Sequence, residues 1–277
     1  MTYRVEPQAS RVVFRLLEGA IAITSPSSDI ARQIAALFPA YCADDCNGPA
    51  SDEYHLGRIG TTWVVGAAGD TPEPVDDLAD ALSEVENLVA DGLLGRNAGL
   101  AHLHAAGFVA DNAALVMLGP SGAGKSSLAL EMSLRGLATL GDDVLFIAED
   151  GTAAPFKRLF KVHPGHLAGH SVPANPTLDW LSDDEEAWFD PETAGGWAKP
   201  TPVQRVAKIR YEQGASLAVR PLTKPETLSL LMASLFPLGL GPEECFDRLL
   251  HVANAASGIE LVYGDTADAA DALMVPS

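Results

Sequence analysis

Gly119-Pro120-Ser121-Gly122-Ala123-Gly124-Lys125-Ser126 combines residue types and spacing that can hold a polyphosphate, fitting the pattern G-x-x-x-x-G-K-[ST]. Glycines let consecutive backbone N–H groups turn inward on an anion, and a helix that follows adds its positive end at the same point. In such a loop Lys125 reaches the β- and γ-phosphates and the Ser126 hydroxyl ligates Mg²⁺, with Ser127 next in the binding run. A second constellation is Gly141-Asp142-Asp143-Val144. Two adjacent carboxylates beside a phosphate loop suit two jobs: one binds Mg²⁺, the other takes a proton from an attacking hydroxyl. Neighbouring like charges raise one of the two pKa values, which suits a base. A solvated Gly-Asp turn is the plain alternative. His102 and His104 lie upstream, and a histidine near the end of an element is most often a satisfied structural group.

These residues need elements to position them. Residues 114–118 are an unbroken apolar run short enough for a buried strand, and 127–135 have helical spacing ended by Gly136. Strand, glycine-rich turn and helix start are the context that the phosphate-loop motif requires. Strand–helix alternation then continues: residues 107–110, the strand at 114–118, its helix, and 144–148. Further strands are expected at 207–211, 215–219 and 259–263, with helices over 224–235 and 242–255. Upstream, 12–16 and 20–23 read as strands joined by a Glu-Gly turn, 28–38 as a helix, and 56–65 as a strand-pair region. Residues 69–74, with Pro72 and Pro74, read as a linker, and 75–101 as a long helical stretch, interrupted near Gly92, with both histidines at its end. The expected organisation is a small α+β unit over 1–85 and an α/β phosphate-loop domain over 86–277. Residues 155–202, rich in Pro, Gly and charge around the acidic run 182–186, read as one long irregular segment, either a substrate lid or a surface excursion.

Composition narrows the function. Hydrophobic residues make up 47% and charged residues 20% of the 277, ordinary values for a globular protein. A formal charge of −19 argues against nucleic acid and anionic membrane surfaces, whose phosphates are held by Lys and Arg. Three cysteines, Cys42, Cys46 and Cys245, make no disulfide framework, and no His or Cys pair completes a metal site with the first two. With no apolar run of membrane-spanning length and no basic-then-apolar leader, a reducing cytoplasm is the expected compartment.

The order of His104, a strand, the loop 119–126, Arg135-Gly136 and Asp142-Asp143 resembles the catalytic core of HPr kinase/phosphorylase and its relatives. These share a phosphoenolpyruvate-carboxykinase-like P-loop fold with a mixed β-sheet and flanking helices. In that family a histidine stands at the same interval ahead of the first loop glycine as His104 does ahead of Gly119. The likeness covers roughly residues 100–150 and extends weakly to about 265. It implies that Lys125 neutralises the transferring phosphate, Ser126 holds the metal, and His104 contacts the donor phosphates or polarises the acceptor. It also implies that one aspartate is the base and the other helps bind metal. Asp142 is favoured as base, leaving Asp143 for the metal, although the sequence leaves the order open. Arg158 and Lys161, in a basic cluster after the aspartates, are candidates for phosphate or substrate contact, with a solvated basic strand as the alternative. Because family members assemble as hexamers, a homo-oligomer is an implied partner.

Two departures from the family matter. Ser127 stands where HPr kinases carry an acid, and their later acid–Arg-Gly signature has no counterpart in 150–277. That puts HPr as partner and the reverse phosphorolysis in doubt. The chain looks more similar to HPr-kinase-related proteins at large, including kinases found beside lasso-peptide precursor genes, which share a Leu-His-Ala stretch like Leu103-His104-Ala105. The expected activity is an ATP- and Mg²⁺-dependent transfer of the γ-phosphoryl group to a hydroxyl, most readily Ser of a peptide or small protein. A small-molecule kinase for an amino acid or sugar, and a nucleotide-binding regulator without transferase activity, are the rivals. GTP and pyrophosphate remain open as donors. A transporter-type NTPase lacks its Leu-Ser-Gly-Gly signature here, and a GTPase its Asn-Lys-x-Asp.

Overall fold

Paired apolar runs near the N-terminus set the first sheet. In the computed structural model, which describes residues 10–16, 19–97, 99–166 and 187–275, β1 (Ser10–Leu16) and β2 (Gly19–Ser25) are antiparallel, with Val12 opposite Ile23. Helix α1 (Ser28–Leu37) is capped by the Ser27 side chain, which accepts from Ile30 N. β3 (Asp52–Ile59) runs parallel to β2, β4 (Thr62–Ala67) turns back on β3, and β5 (Glu73–Val75) pairs with β4. Helix α2 (Leu78–Gly95), capped by Asp77, buries Leu82, Val85, Val89 and Leu93 and packs on β2 and β4. The result is a five-stranded sheet in the order β1-β2-β3-β4-β5.

Three expectations are corrected here. The segment read as a linker ends in β5, an edge strand, where prolines are tolerated because their missing N–H faces away from the ladder. α2 runs through Gly92 without a break and stops at Gly95, well short of residue 101. The first compact unit therefore extends to Asn97, and the boundary expected near residue 85 falls inside α2.

The second unit is built on ten strands. β6 (Ala101–His104), β7 (Ala106–Ala110) and β8 (Ala113–Leu118) lead to α3 (Lys125–Leu134), followed by β9 (Ala138–Gly141), β10 (Val144–Ile147) and β11 (Thr152–Pro155). A separate two-stranded ribbon joins β12 (Phe160–Val162) to β13 (Ala187–Phe189). Then come β14 (Thr201–Tyr211), β15 (Ala218–Leu222), α4 (Lys224–Ala233), β16 (Leu235–Gly239), α5 (Pro242–Ala255), β17 (Ser257–Tyr263) and α6 (Thr266–Met274). The sheet runs β16-β6-β10-β11-β14-β8-β7-β9, with β17 on β14 and β15 on β17. It is mixed: β14 is parallel to β8 and β17, and most other pairs are antiparallel.

Both faces of this sheet are covered, which is why β8 reads as a continuous apolar run. Leu115 and Met117 face a core with Leu128 and Met132 of α3 and Leu273 of α6. Val116 and Leu118 face the other core, with Leu231 of α4 and Leu249 and Val252 of α5. Successive strand residues point to opposite faces, so a strand sandwiched between two helical layers has no polar positions. Residues 155–202 are not uniformly irregular: β12 and β13 form within them. The acidic run expected at the centre of that segment lies outside the described residues.

Candidate functional site

β8 delivers the chain into the loop 119–126, and α3 begins at Lys125. Two glycines make this turn possible. A Cβ on Gly119 would sit 2.8 Å from the Ile209 carbonyl oxygen of β14 and 2.9 Å from the Ala123 Cβ. Gly124, the N-cap of α3, has φ of +94° and lies against the Tyr263 hydroxyl, so a side chain there would be both strained and blocked. Lys125 is 6% exposed, and its ammonium donates to the carbonyls of Gly119 (2.8 Å) and Pro120 (3.3 Å). Burial pushes its pKa down, while the charges of Asp143 and Asp142 act in the opposite direction.

The aspartates arrive from β9. Asp142 and Asp143 occupy the turn between β9 and β10, and Asp142 is 7% exposed. Burial, then the neighbouring charge of Asp143, push the Asp142 carboxyl up to about 7, against a hydrogen bond from the Ser126 hydroxyl and the charge of Arg158. Asp143 moves the other way. Its Oδ1 lies 3.1 Å from His104 Nδ1 and its Oδ2 3.0 Å from Arg158 Nη1. The His104 hydrogen bond, aided by the Arg158 charge, holds Asp143 below the usual carboxylate range despite its burial. Two neighbouring carboxyls with pKa values driven apart are the arrangement from which acid–base and charge-holding roles separate.

His104 sits on a strand, not at a helix end. Both histidines expected at the close of the long helix lie on β6, where Val144 of β10 pairs opposite His104. The Ala105 amide donates to the Asp143 carbonyl (3.0 Å), which fixes the strand end beside the aspartate turn. Phe236 of β16 meets the His104 ring edge-on at 5.7 Å. His102 is fully buried against Phe146 and takes a packing role. The helical reading missed this because four residues of alternating His and apolar character are too few to show a period of two.

A cavity of about 740 Å³ unites these groups. Ser121, Gly122, Gly124, Lys125, Ser126 and Ser127 line one side, and His104, Asp142 and Asp143 another. The remaining wall comes from Tyr211, Tyr263 and the start of α6 at Asp265, Thr266 and Ala267, none of which the motif indicates. Tyr263 Oη lies 3.4 Å from the Ala123 carbonyl and 3.3 Å from that of Gly124, and Tyr211 N donates to the Ala123 carbonyl. Tyr211 ends β14, which pairs with β8, and Tyr263 ends β17, which pairs with β14, so only sheet pairing over long sequence separations brings them here. Arg135 ties α3 to α6 by pairing with Glu131 (2.7 Å) and Asp271 (2.5 Å). Arg158 reaches the site through Asp143, and Lys161 lies on β12 with its ammonium 4.7 Å from the Trp188 ring centre.

No family model matches the chain, and no curated protein matches it. The Ser126 hydroxyl and the Asp143 carboxylate are hard oxygen donors of the kind Mg²⁺ prefers, and one carboxylate suffices when phosphate oxygens and water complete its shell. Among the described residues no cluster of three or more His, Cys, Asp or Glu side chains could hold a metal ion alone, and Cys42 and Cys46 are free thiols. Among the described residues, too, no helix is long and apolar enough to cross a membrane.

Proposed function

We propose that this chain is a cytoplasmic ATP- and Mg²⁺-dependent kinase of the HPr-kinase-related type, transferring the γ-phosphoryl group to a hydroxyl, foremost Ser of a peptide or small protein. The observation that carries this reading is the shared cavity: the loop 119–126 and the Asp142–Asp143 pair line the same space, joined through the Ser126–Asp142 hydrogen bond. A pure nucleotide sensor has no use for a buried carboxyl tuned to about 7 beside the phosphate loop. A small-molecule kinase would use the same parts.

In this reading the amides of the loop and Lys125 bind and orient the triphosphate tail, and Asp142 accepts the proton of the acceptor hydroxyl. Asp143 stays ionised, held by His104 and Arg158, and with Ser126 would ligate the metal. Mg²⁺, when bound, neutralises charge on the β- and γ-phosphates. His104 acts as a positioning residue for Asp143, a role more indirect than contact with the donor. The mixed ten-stranded sheet agrees with a phosphoenolpyruvate-carboxykinase-like core.

The test is transfer of label from γ-labelled ATP to a serine-containing peptide panel and to a set of free amino acids and sugars. Label on peptides selects the leading reading and label on small molecules the rival. Nucleotide binding with no transfer to any acceptor or to water would sink both. A narrower prediction concerns the loop. Tyr263→Phe removes the hydroxyl beside two loop carbonyls, so KM for ATP should rise about fivefold, the effect of one net hydrogen bond, with kcat changed less. Unchanged ATP kinetics would show that Tyr263 only packs.

A further inference from the structure

The aspartate pair faces a second, smaller cavity of about 230 Å³, lined by Ser126, Asp142, Asp143, Arg158, Leu159 and Lys161. Ser126 and both aspartates also line the larger cavity, so the two spaces meet at the carboxylates. Their remaining walls differ in chemistry. Loop amides and tyrosines surround the larger one, whereas two cations and a leucine complete the smaller. Arg158, with a side chain 19% exposed, pairs with Asp143. Lys161 brings a second positive charge, its stem fixed by the β12–β13 ribbon, where it pairs directly opposite Trp188.

We propose that the smaller cavity is the acceptor subsite and selects an anionic alcohol, a hydroxyl carried within a few bonds of a carboxylate or phosphate. This rests on the kinase reading and names its acceptor class. A neutral alcohol gains little from two cations, whereas a carboxylate or phosphate gains charge-assisted hydrogen bonds from both. The volume, set against roughly 30 Å³ per water, takes a group of about seven heavy atoms, enough for a hydroxyl-bearing carbon and its anionic neighbour but not a bulky side chain. With the anion on Lys161 and Arg158, the hydroxyl lies between Asp142 and the phosphate loop. The hydroxyl oxygen forms a bond to the γ-phosphorus and the bond from that phosphorus to the β–γ bridging oxygen breaks. ADP leaves with the electron pair, and the hydroxyl proton passes to the Asp142 carboxylate.

Calorimetric titration of the full chain, in the presence of Mg-ADP, with matched charged and neutral probes tests this. The pairs are glycerate against glycerol, and a peptide containing Ser-Asp against the same peptide with Ser-Asn. In at least one pair the charged probe should bind about tenfold or more tightly. Lys161→Met should reduce that ratio to about one, and Lys161→Arg should keep most of it. Which pair discriminates tells whether the anion belongs to a small hydroxy acid or to a peptide. Equal binding within both pairs, no binding of any probe, or a ratio unchanged in Lys161→Met would overturn the assignment. Transfer of label to neutral acceptors as readily as to charged ones would leave the kinase reading standing and remove this one. Failure to bind ADP would remove both.

Discussion

Asp142→Asn should lower phosphoryl transfer by about 10²–10⁴-fold, the range that a positioned general base contributes, while ATP binding changes little. The amide keeps the shape of the carboxyl and its contact with Ser126 but cannot take a proton at the pH of the reaction. The pH profile carries the same information. Because Asp142 titrates at about 7, kcat/KM of the wild type should rise as pH increases through that value, and the limb should vanish in the variant. Stability should move in the opposite sense. A carboxyl whose folded pKa is raised above its unfolded value binds more protons when folded, so its contribution is full below the unfolded pKa and is lost as pH rises toward 7. Asp142→Asn removes that loss, and the metal-free variant should melt higher than the wild type at pH 8. Transfer within a few-fold of wild type would refute Asp142 as the base; a lower melting temperature would refute its burial as an ionisable group.

Lys125→Ala should abolish transfer by weakening both nucleotide binding and stabilisation of the moving phosphoryl group, a loss of about 10²–10³-fold in kcat/KM or more. The ammonium is held by the carbonyls of Gly119 and Pro120, so the truncated variant leaves those two acceptors without their donor and should also lose some stability. Circular dichroism of the variant separates the two effects. Retained folding with retained ATP turnover would overturn the assignment of the loop as the phosphate site.

What could be read from the chain and what could not divides along the distance over which each signal acts. The loop 119–126 with its strand and helix is local: apolar run, glycine turn and helical spacing lie within about twenty residues. The pairs β1–β2 and β3–β4 are local as well. β9 and β16 were missed because strands of four and five residues show too little alternation, and Pro237 in β16 reads as a breaker although it lies on an edge strand. α6 was missed although Asp265, which accepts from Ala267 N and Asp268 N, is a helix-start signal followed by alanines and a leucine. Of the residues that line the cavity, Lys125, Ser126, Asp142 and Asp143 carry a motif in the sequence. Tyr211 and Tyr263 carry none, since nothing in their neighbourhoods points to a loop more than eighty residues away. For His104 the residue was found but its element was not.

Over residues 205–211 the long strand β14 pairs with β17 (257–263), and on its other side it pairs with β8 (114–118). During synthesis the phosphate loop therefore leaves the ribosome long before the strands that buttress it. Tyr211, Tyr263 and the start of α6 complete the cavity wall only after residue 267 has emerged. Pairings so distant in the chain form late, so a nascent chain carries the full motif well before it carries the closed cavity. On the proposed kinase reading, competence would be gained in one late step, when β17 and the start of α6 dock.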